Sequence, residues 1–210
     1  MSRPTAQRLV VLHGLVVRGF ATVDALAAAG IDPVEVERGL AAAEAAGLAR
    51  RREGRHPGWS LTPTGRTEVR RSLADELDAA GARPAVDGAY RRFLALNPEL
   101  LATCTAWQVR DEASQTPNDH TDAAYDAATV ERLAAVDAAA QPVCADLATA
   151  LARFAGYGRR LATAVDRVRA GDGDWFTSPR VDSYHTVWFE LHEDLLATLG
   201  LERAQEARVG

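Results

Sequence analysis

Lysine is missing from the chain: all 24 basic residues among its 210 are arginine. Together with abundant alanine, this is the compositional bias of GC-rich coding sequence, so arginine content alone is not a nucleic-acid signal. Only two cysteines occur, Cys104 and Cys144, far apart and without metal or redox spacing. A reduced thiol pair is therefore expected. There is no apolar run of membrane-spanning length and no signal-peptide pattern at the N-terminus, which leads to the expectation of a cytoplasmic protein. Also lacking are a P-loop, a dinucleotide-binding glycine turn, a nucleophile elbow and an HExxH motif. Gly156-Tyr157-Gly158-Arg159-Arg160 has two glycines, but it interrupts a helical pattern rather than following a strand. The expectation is a protein that is not an enzyme, with no cofactor implied.

Apolar residues make up 47% of the chain, enough to bury a sizeable core in one medium domain or two small ones. The formal net charge of −5 argues against nucleic-acid binding over the whole surface. Charge is unevenly placed, however. Residues 1–80 carry 11 arginines against 10 acids, a net of +1, and residues 81–210 carry 13 against 19, a net of −6. Within Gly47–Arg71, seven arginines face two glutamates, and this local excess is the part suited to phosphates.

Periodicity places a first helix over Thr5–Val17, with Leu9, Leu12 and Val16 on one face, ended by Gly19. Thr22 caps a short helix, Val23–Ala29, stopped by Gly30. Asp32-Pro33-Val34-Glu35 combines an N-cap acid, a proline at the first helical position and a glutamate able to reach back. That third helix runs to Ala46, buries Val36, Leu40 and Ala43, and closes at Gly47. Leu48–Glu53 and Trp59–Thr62 then flank a Gly/Pro turn and predict a hairpin. Thr62-Pro63 opens a fourth helix to about Ala80. Three helices, a hairpin and a helix follow the winged-helix order.

Ala45–Arg51 followed by Gly58–Arg66, with its Leu61-Thr62-Pro63-Thr64-Gly65-Arg66 exit, resembles the end of the recognition helix and the wing of MarR-like and PadR-like transcription regulators. The resemblance covers about the first 80 residues. In MarR-like proteins a dimerisation helix precedes the winged helix. Here the winged helix comes at once, as in PadR-like proteins, so dimerisation is expected in the C-terminal part. Further on, Trp107–Arg110, Asn118-Asp119-His120 and Tyr184–Glu193 resemble segments of actinobacterial regulators, without implying a ligand.

A winged helix places its third helix in the major groove and its wing on phosphates or in the minor groove. Candidate DNA-binding residues are Arg38 on the third helix and Arg50, Arg51, Arg52, Arg55 and His56 in or beside the wing. Strand alternation turns Arg50 and Arg52 one way and Arg51 the other. Glu35 and Glu37 sit on the same reading helix, where a glutamate repels phosphate but accepts from a cytosine amino group.

After the join Gly81–Pro84, helices are predicted over about Val86–Arg110 (broken at Asn97-Pro98), Ala123–Ala139, Pro142–Ala170 and Pro179–Leu199. Asp111–Asp122 and Gly171–Asp174 read as loops. The last helix carries two stripes, Val181, Tyr184, Trp188, Leu191 and Leu195, and His185, Phe189, His192, Leu196 and Leu199, which together bury most of it. His185 and His192 stand about 10 Å apart along a helix, too far to share one zinc, so no metal site is expected. Tyr184, His185, Trp188 and His192 could line a cavity opposite Trp107, Arg110, His120 and Tyr125, an aromatic and basic mixture suited to a small organic or anionic effector. The competing reading is that these side chains fill a core.

The expectation is a mainly α protein: a winged helix-turn-helix DNA-binding domain over residues 1–80 and a helical dimerisation and effector domain over 81–210. It would act as a homodimer on double-stranded, pseudo-palindromic operator DNA. The alternatives are a winged-helix module that docks a partner protein, and a ligand-binding protein with a degenerate winged helix.

Overall fold

A computed structural model of the chain describes residues 7–28, 31–111 and 113–201. The fold is mainly helical, with two small hairpins, and its contacts divide it into two compact units. The first comprises residues 1–86, 150–153 and 190–210, and the second residues 87–149 and 154–189. Among the described residues no helix is long and apolar enough to cross a membrane.

The first unit opens with α1 (Gln7–Arg18), α2 (Val23–Ala27) and α3 (Pro33–Ala45). Their starts follow from capping chemistry. Thr22 Oγ1 accepts from Ala25 N at 3.2 Å, and Asp32 Oδ1 accepts from Val34 N at 2.8 Å, each satisfying an N–H the helix leaves over. The expected ends at Ala29 and Gly30, and the start at Thr5, lie outside the described residues. At Gly47 the backbone turns to φ +71, and Gly47 N and Leu48 N return to the carbonyls of Glu44 and Ala43.

Strands β1 (Ala49–Arg52) and β2 (Gly58–Leu61) pair antiparallel, Ala49 opposite Leu61 and Arg52 opposite Gly58. Ala21 adds a two-bond bridge to Trp59 on the other edge of β2, at 3.0 and 2.8 Å. Thr62 then does three things at once. Its backbone N donates to Leu48 O, its hydroxyl donates to Gly47 O at 2.7 Å, and the same oxygen caps α4 (Pro63–Ala79) by accepting from Gly65 N. Gly65 must lack a side chain, because a Cβ there would stand 1.9 Å from Leu48 O. Leu12, Leu15, Leu26, Val36, Leu40, Leu61, Val69 and Leu73 form the core beneath.

A buried ionic network also belongs to this unit. Arg153, 4% exposed, donates from Nε to Glu76 at 2.8 Å and pairs through Nη1 with the fully buried Asp194. His13 Nε2 lies 2.9 Å from the same Asp194 oxygen, and Thr198 accepts from Arg153 Nη2. Burial opposes the Arg153 charge, but Asp194 and Glu76 more than offset it, holding its pKa above the ordinary arginine value. Arg18 pairs with Glu190 at 3.1 Å.

α5 (Arg83–Gln108) enters the second unit at Asp87 and is continuous through Pro98, where a break was expected. Trp188 stacks on Phe93 at 4.3 Å and donates Nε1 to Asn97 Oδ1 at 3.1 Å, while Leu100 is fully buried just beyond. Packing on both sides of the proline therefore offsets the backbone bond it removes. α6 (Ala123–Ala150) likewise runs through Pro142, so the expected break at 139–142 falls instead at the 3-10 turn Ala152–Gly156, before α7 (Tyr157–Arg169). Val143, Leu147, Leu151, Phe154, Leu161, Val165 and Val168 are all buried.

Two further segments differ from expectation. The loop at 111–122 starts with a hairpin, β3 (Val109–Asp111) with β4 (Thr116–Pro117), joined through a bulge. Ser178-Pro179 does not start the last helix but follows the one-turn α8 (Asp174–Thr177). α9 (Tyr184–Leu199) is capped by Ser183, whose Oγ accepts from Thr186 N at 3.3 Å. On α9, Phe189 is 46% exposed rather than buried, whereas Val187, Glu190 and Asp194 are buried.

Candidate functional site

The β1–β2 hairpin of the first unit gathers Arg50, Arg51, Arg52, Arg55 and His56, all exposed. Pairing sets their directions: Arg50 donates from Nε to Ser60 Oγ at 3.1 Å, and Arg52 lies 5.8 Å over the Phe20 ring. Arg51, Arg55 and His56 have no ion-pair or hydrogen-bond partner among the described residues. Glu53 is the one acid in the turn, so Arg50–Arg55 carries four positive charges against one negative. A narrow ribbon with a net charge of +3 is an electrostatic feature suited to a polyanion.

Helix α3 offers less. Arg38, 69% exposed, pairs with Glu35 one turn earlier, so its charge is locally offset. Glu35 thus serves Arg38, and the cap belongs to Asp32. Glu37 is exposed, and Val34 is 60% exposed beside it.

The eight residues considered for an effector cavity do not come together. In the second unit, Trp107 and His120 line a groove of about 850 Å³. Arg110 is not part of its lining and lies 3.8 Å over the Tyr125 ring and 2.7 Å from Asp122, while Tyr125 donates its hydroxyl to Ala106 O. Tyr184 and Trp188 are core residues, 0% and 3% exposed. Burial, together with the charge and hydrogen bond of the neighbouring Asp137, pushes the Tyr184 pKa upward. His185 is half-buried, and burial pulls its pKa down. His192 is buried and belongs to the first unit.

The groove is also lined by Val168, from an expected apolar stripe, and by residues that periodicity did not mark: Val130, Asp174, Thr177 and Arg180. The Gly171–Asp174 loop was a signal that the chain turns there, but not that it faces His120. Trp107 stacks on Phe176 at 4.5 Å and meets the His120 ring at 4.4 Å. Gly173 allows this arrangement, since a Cβ there would press within 3.1 Å of the indole. Among the described residues no group of three His, Cys, Asp or Glu is placed to hold a metal ion. Cys104 and Cys144 are free and buried, and burial pushes both thiols up to about 12.

Compared with known protein families, curated proteins and solved structures, the chain matches none.

Proposed function

We propose that the chain is a DNA-binding transcription regulator of the MarR-like and PadR-like kind, cytoplasmic and homodimeric. Residues 1–80 would be its winged helix-turn-helix, with α3 as recognition helix and β1–β2 as wing. Residues 81–210 would carry dimerisation and an effector site. The element order and the Thr62–Gly65 exit from the hairpin support the winged-helix reading. The observation that carries the DNA reading is the exposed hairpin with four arginines, of which Arg51 and Arg55 are unpaired among the described residues.

Each arginine that neutralises a phosphate releases a counterion, steepening the dependence of log K on log salt by about 0.9. Binding of the full chain to duplex DNA from its own upstream region, followed by fluorescence anisotropy, tests this. Replacing Arg51 and Arg55 together with alanine should reduce the slope by about 2 per chain, or roughly 4 for the homodimer, and weaken binding to every sequence alike. Unchanged affinity in that variant would remove the wing from the interface.

One observation favours a second reading. The exposed face of α3 presents Glu37, Val34 and an Arg38 already paired with Glu35. Such a face suits a protein partner better than a phosphate backbone, and a module docking a partner protein without DNA is the alternative.

A further inference from the structure

The groove of the second unit holds a histidine that is positioned with unusual care. His120 sits at φ +58, a left-handed conformation that is unfavourable for a non-glycine residue. Side chains hold it there. Asn118 Oδ1 accepts from His120 N at 3.3 Å, and Asp126 Oδ2 stands 3.0 Å from His120 Nδ1. The two amide hydrogens of Asn118 go to Trp107 O at 3.2 Å and Asp126 Oδ1 at 2.9 Å. Neither is left for the ring nitrogen 3.2 Å away, so Nδ1 must carry the proton and donate it to Asp126. Nε2 is then an acceptor, and it has no partner among the described residues.

Charge narrows what could occupy the groove. Asp126 is engaged by His120 and Asn118, whereas the side chains of Asp174 and Arg180 are exposed and unpaired among the described residues. Asp126, Asp174 and Arg180 sum to −1, so the fixed charges of the groove give no positive excess to attract a plain anion. A plain cation would leave Arg180 facing it. A ligand that satisfies both free groups carries one charge of each sign. Ala127, Val130 and Val168 supply apolar surface for the rest of it, and about 850 Å³ is ample for an amino acid with a large side chain.

We propose that this groove binds a zwitterionic amino acid with an apolar or aromatic side chain. Arg180 holds the carboxylate, Asp174 the ammonium, and His120 Nε2 accepts a further N–H. The inference rests on reading the second unit as the ligand-binding part of a regulator. Titration without DNA separates the two, because DNA binding and ligand binding then fail independently.

The experiment is isothermal titration calorimetry of the full chain with L-phenylalanine, L-leucine and L-tryptophan. Two singly charged analogues, L-phenylalaninamide and 3-phenylpropionate, are run beside them. At least one amino acid should bind saturably, and for L-phenylalanine each analogue should bind roughly tenfold or more weakly. Arg180→Gln should erase the preference over the amide, and Asp174→Asn the preference over 3-phenylpropionate. Both are surface changes, checked for folding by circular dichroism. His120→Gln should weaken binding of the amino acids. The proposal is overturned if 3-phenylpropionate or the amide binds as tightly as phenylalanine. It is equally overturned if no amino acid binds up to about 10 mM.

Discussion

Replacing Arg153 with methionine should destabilise the first unit by about 3–5 kcal/mol, far more than an ordinary arginine truncation. Methionine retains most of the aliphatic stem, so little packing is lost. The change leaves Asp194, with no exposed surface, and Glu76, only 12% exposed, without their shared cation. Thr198 loses a donor as well, while His13 stays close to Asp194. A buried carboxylate stripped of its partner keeps its full desolvation penalty, which is what sets the magnitude. Urea unfolding followed by tryptophan fluorescence reads it directly. With a slope of about 2 kcal/mol per molar urea, the midpoint should fall by roughly 1.5–2.5 M. A triple variant, Arg153→Met with Glu76→Leu and Asp194→Leu, removes all three charges and should recover much of the loss, since an apolar replacement of a whole buried ion group is often neutral. A single-variant loss below about 1 kcal/mol would refute the reasoning, because surface ion pairs are worth that little.

Asp137 titrates above the usual aspartate range, chiefly because it is buried. Its folded pKa therefore exceeds its unfolded one, so its favourable contribution is present below the unfolded value of about 3.9 and lost as pH rises through the folded value. Asp137→Asn keeps an acceptor for Gln141 and should melt higher than the native chain at pH 7–8, with the gain vanishing below about pH 4. Gly65→Ala forces a Cβ onto the Leu48 carbonyl and should cost about 2–3 kcal/mol, lowering Tm by roughly 5–10 °C. Cys104 and Cys144, buried and with thiols pushed up to about 12, should react with a chromogenic disulfide at pH 8 only as fast as the protein opens. Rapid labelling of the folded chain would contradict their burial.

Local chemistry made the first 80 residues readable. Thr22, Asp32-Pro33 and Thr62-Pro63 mark helix starts because each offers an oxygen to unsatisfied N–H groups, and those caps are where the structure puts them. The later boundaries depended on tertiary packing. Pro98 and Pro142 look like breaks in a sequence, yet the helices run on through both, with Trp188 packed on Phe93 and bonded to Asn97 beside the first of them. Ser178-Pro179 carries a start signal, but Ser183 is the residue that caps α9. The hairpin β3–β4 was hidden because Thr116-Pro117 is too short to show alternation. Trp107 and His120 were legible as groove candidates from residue type alone, whereas Asp174 and Arg180 were not, since one-turn elements leave no periodic trace. The burial of Glu190 and Asp194 goes with long-range pairing to Arg18 and Arg153, which no local pattern on the helix announces.

The central claim is that the β1–β2 hairpin meets a polyanion, and one measurement tests it most directly: the affinity of the full chain for duplex DNA across a salt series from about 50 to 200 mM. Arg51 and Arg55 of both chains, four phosphate-contacting arginines in the homodimer, predict a log–log slope of about −3.6, a loss of roughly two orders of magnitude in affinity over that range. Absence of binding at the low end, or binding that salt leaves unchanged, would contradict it.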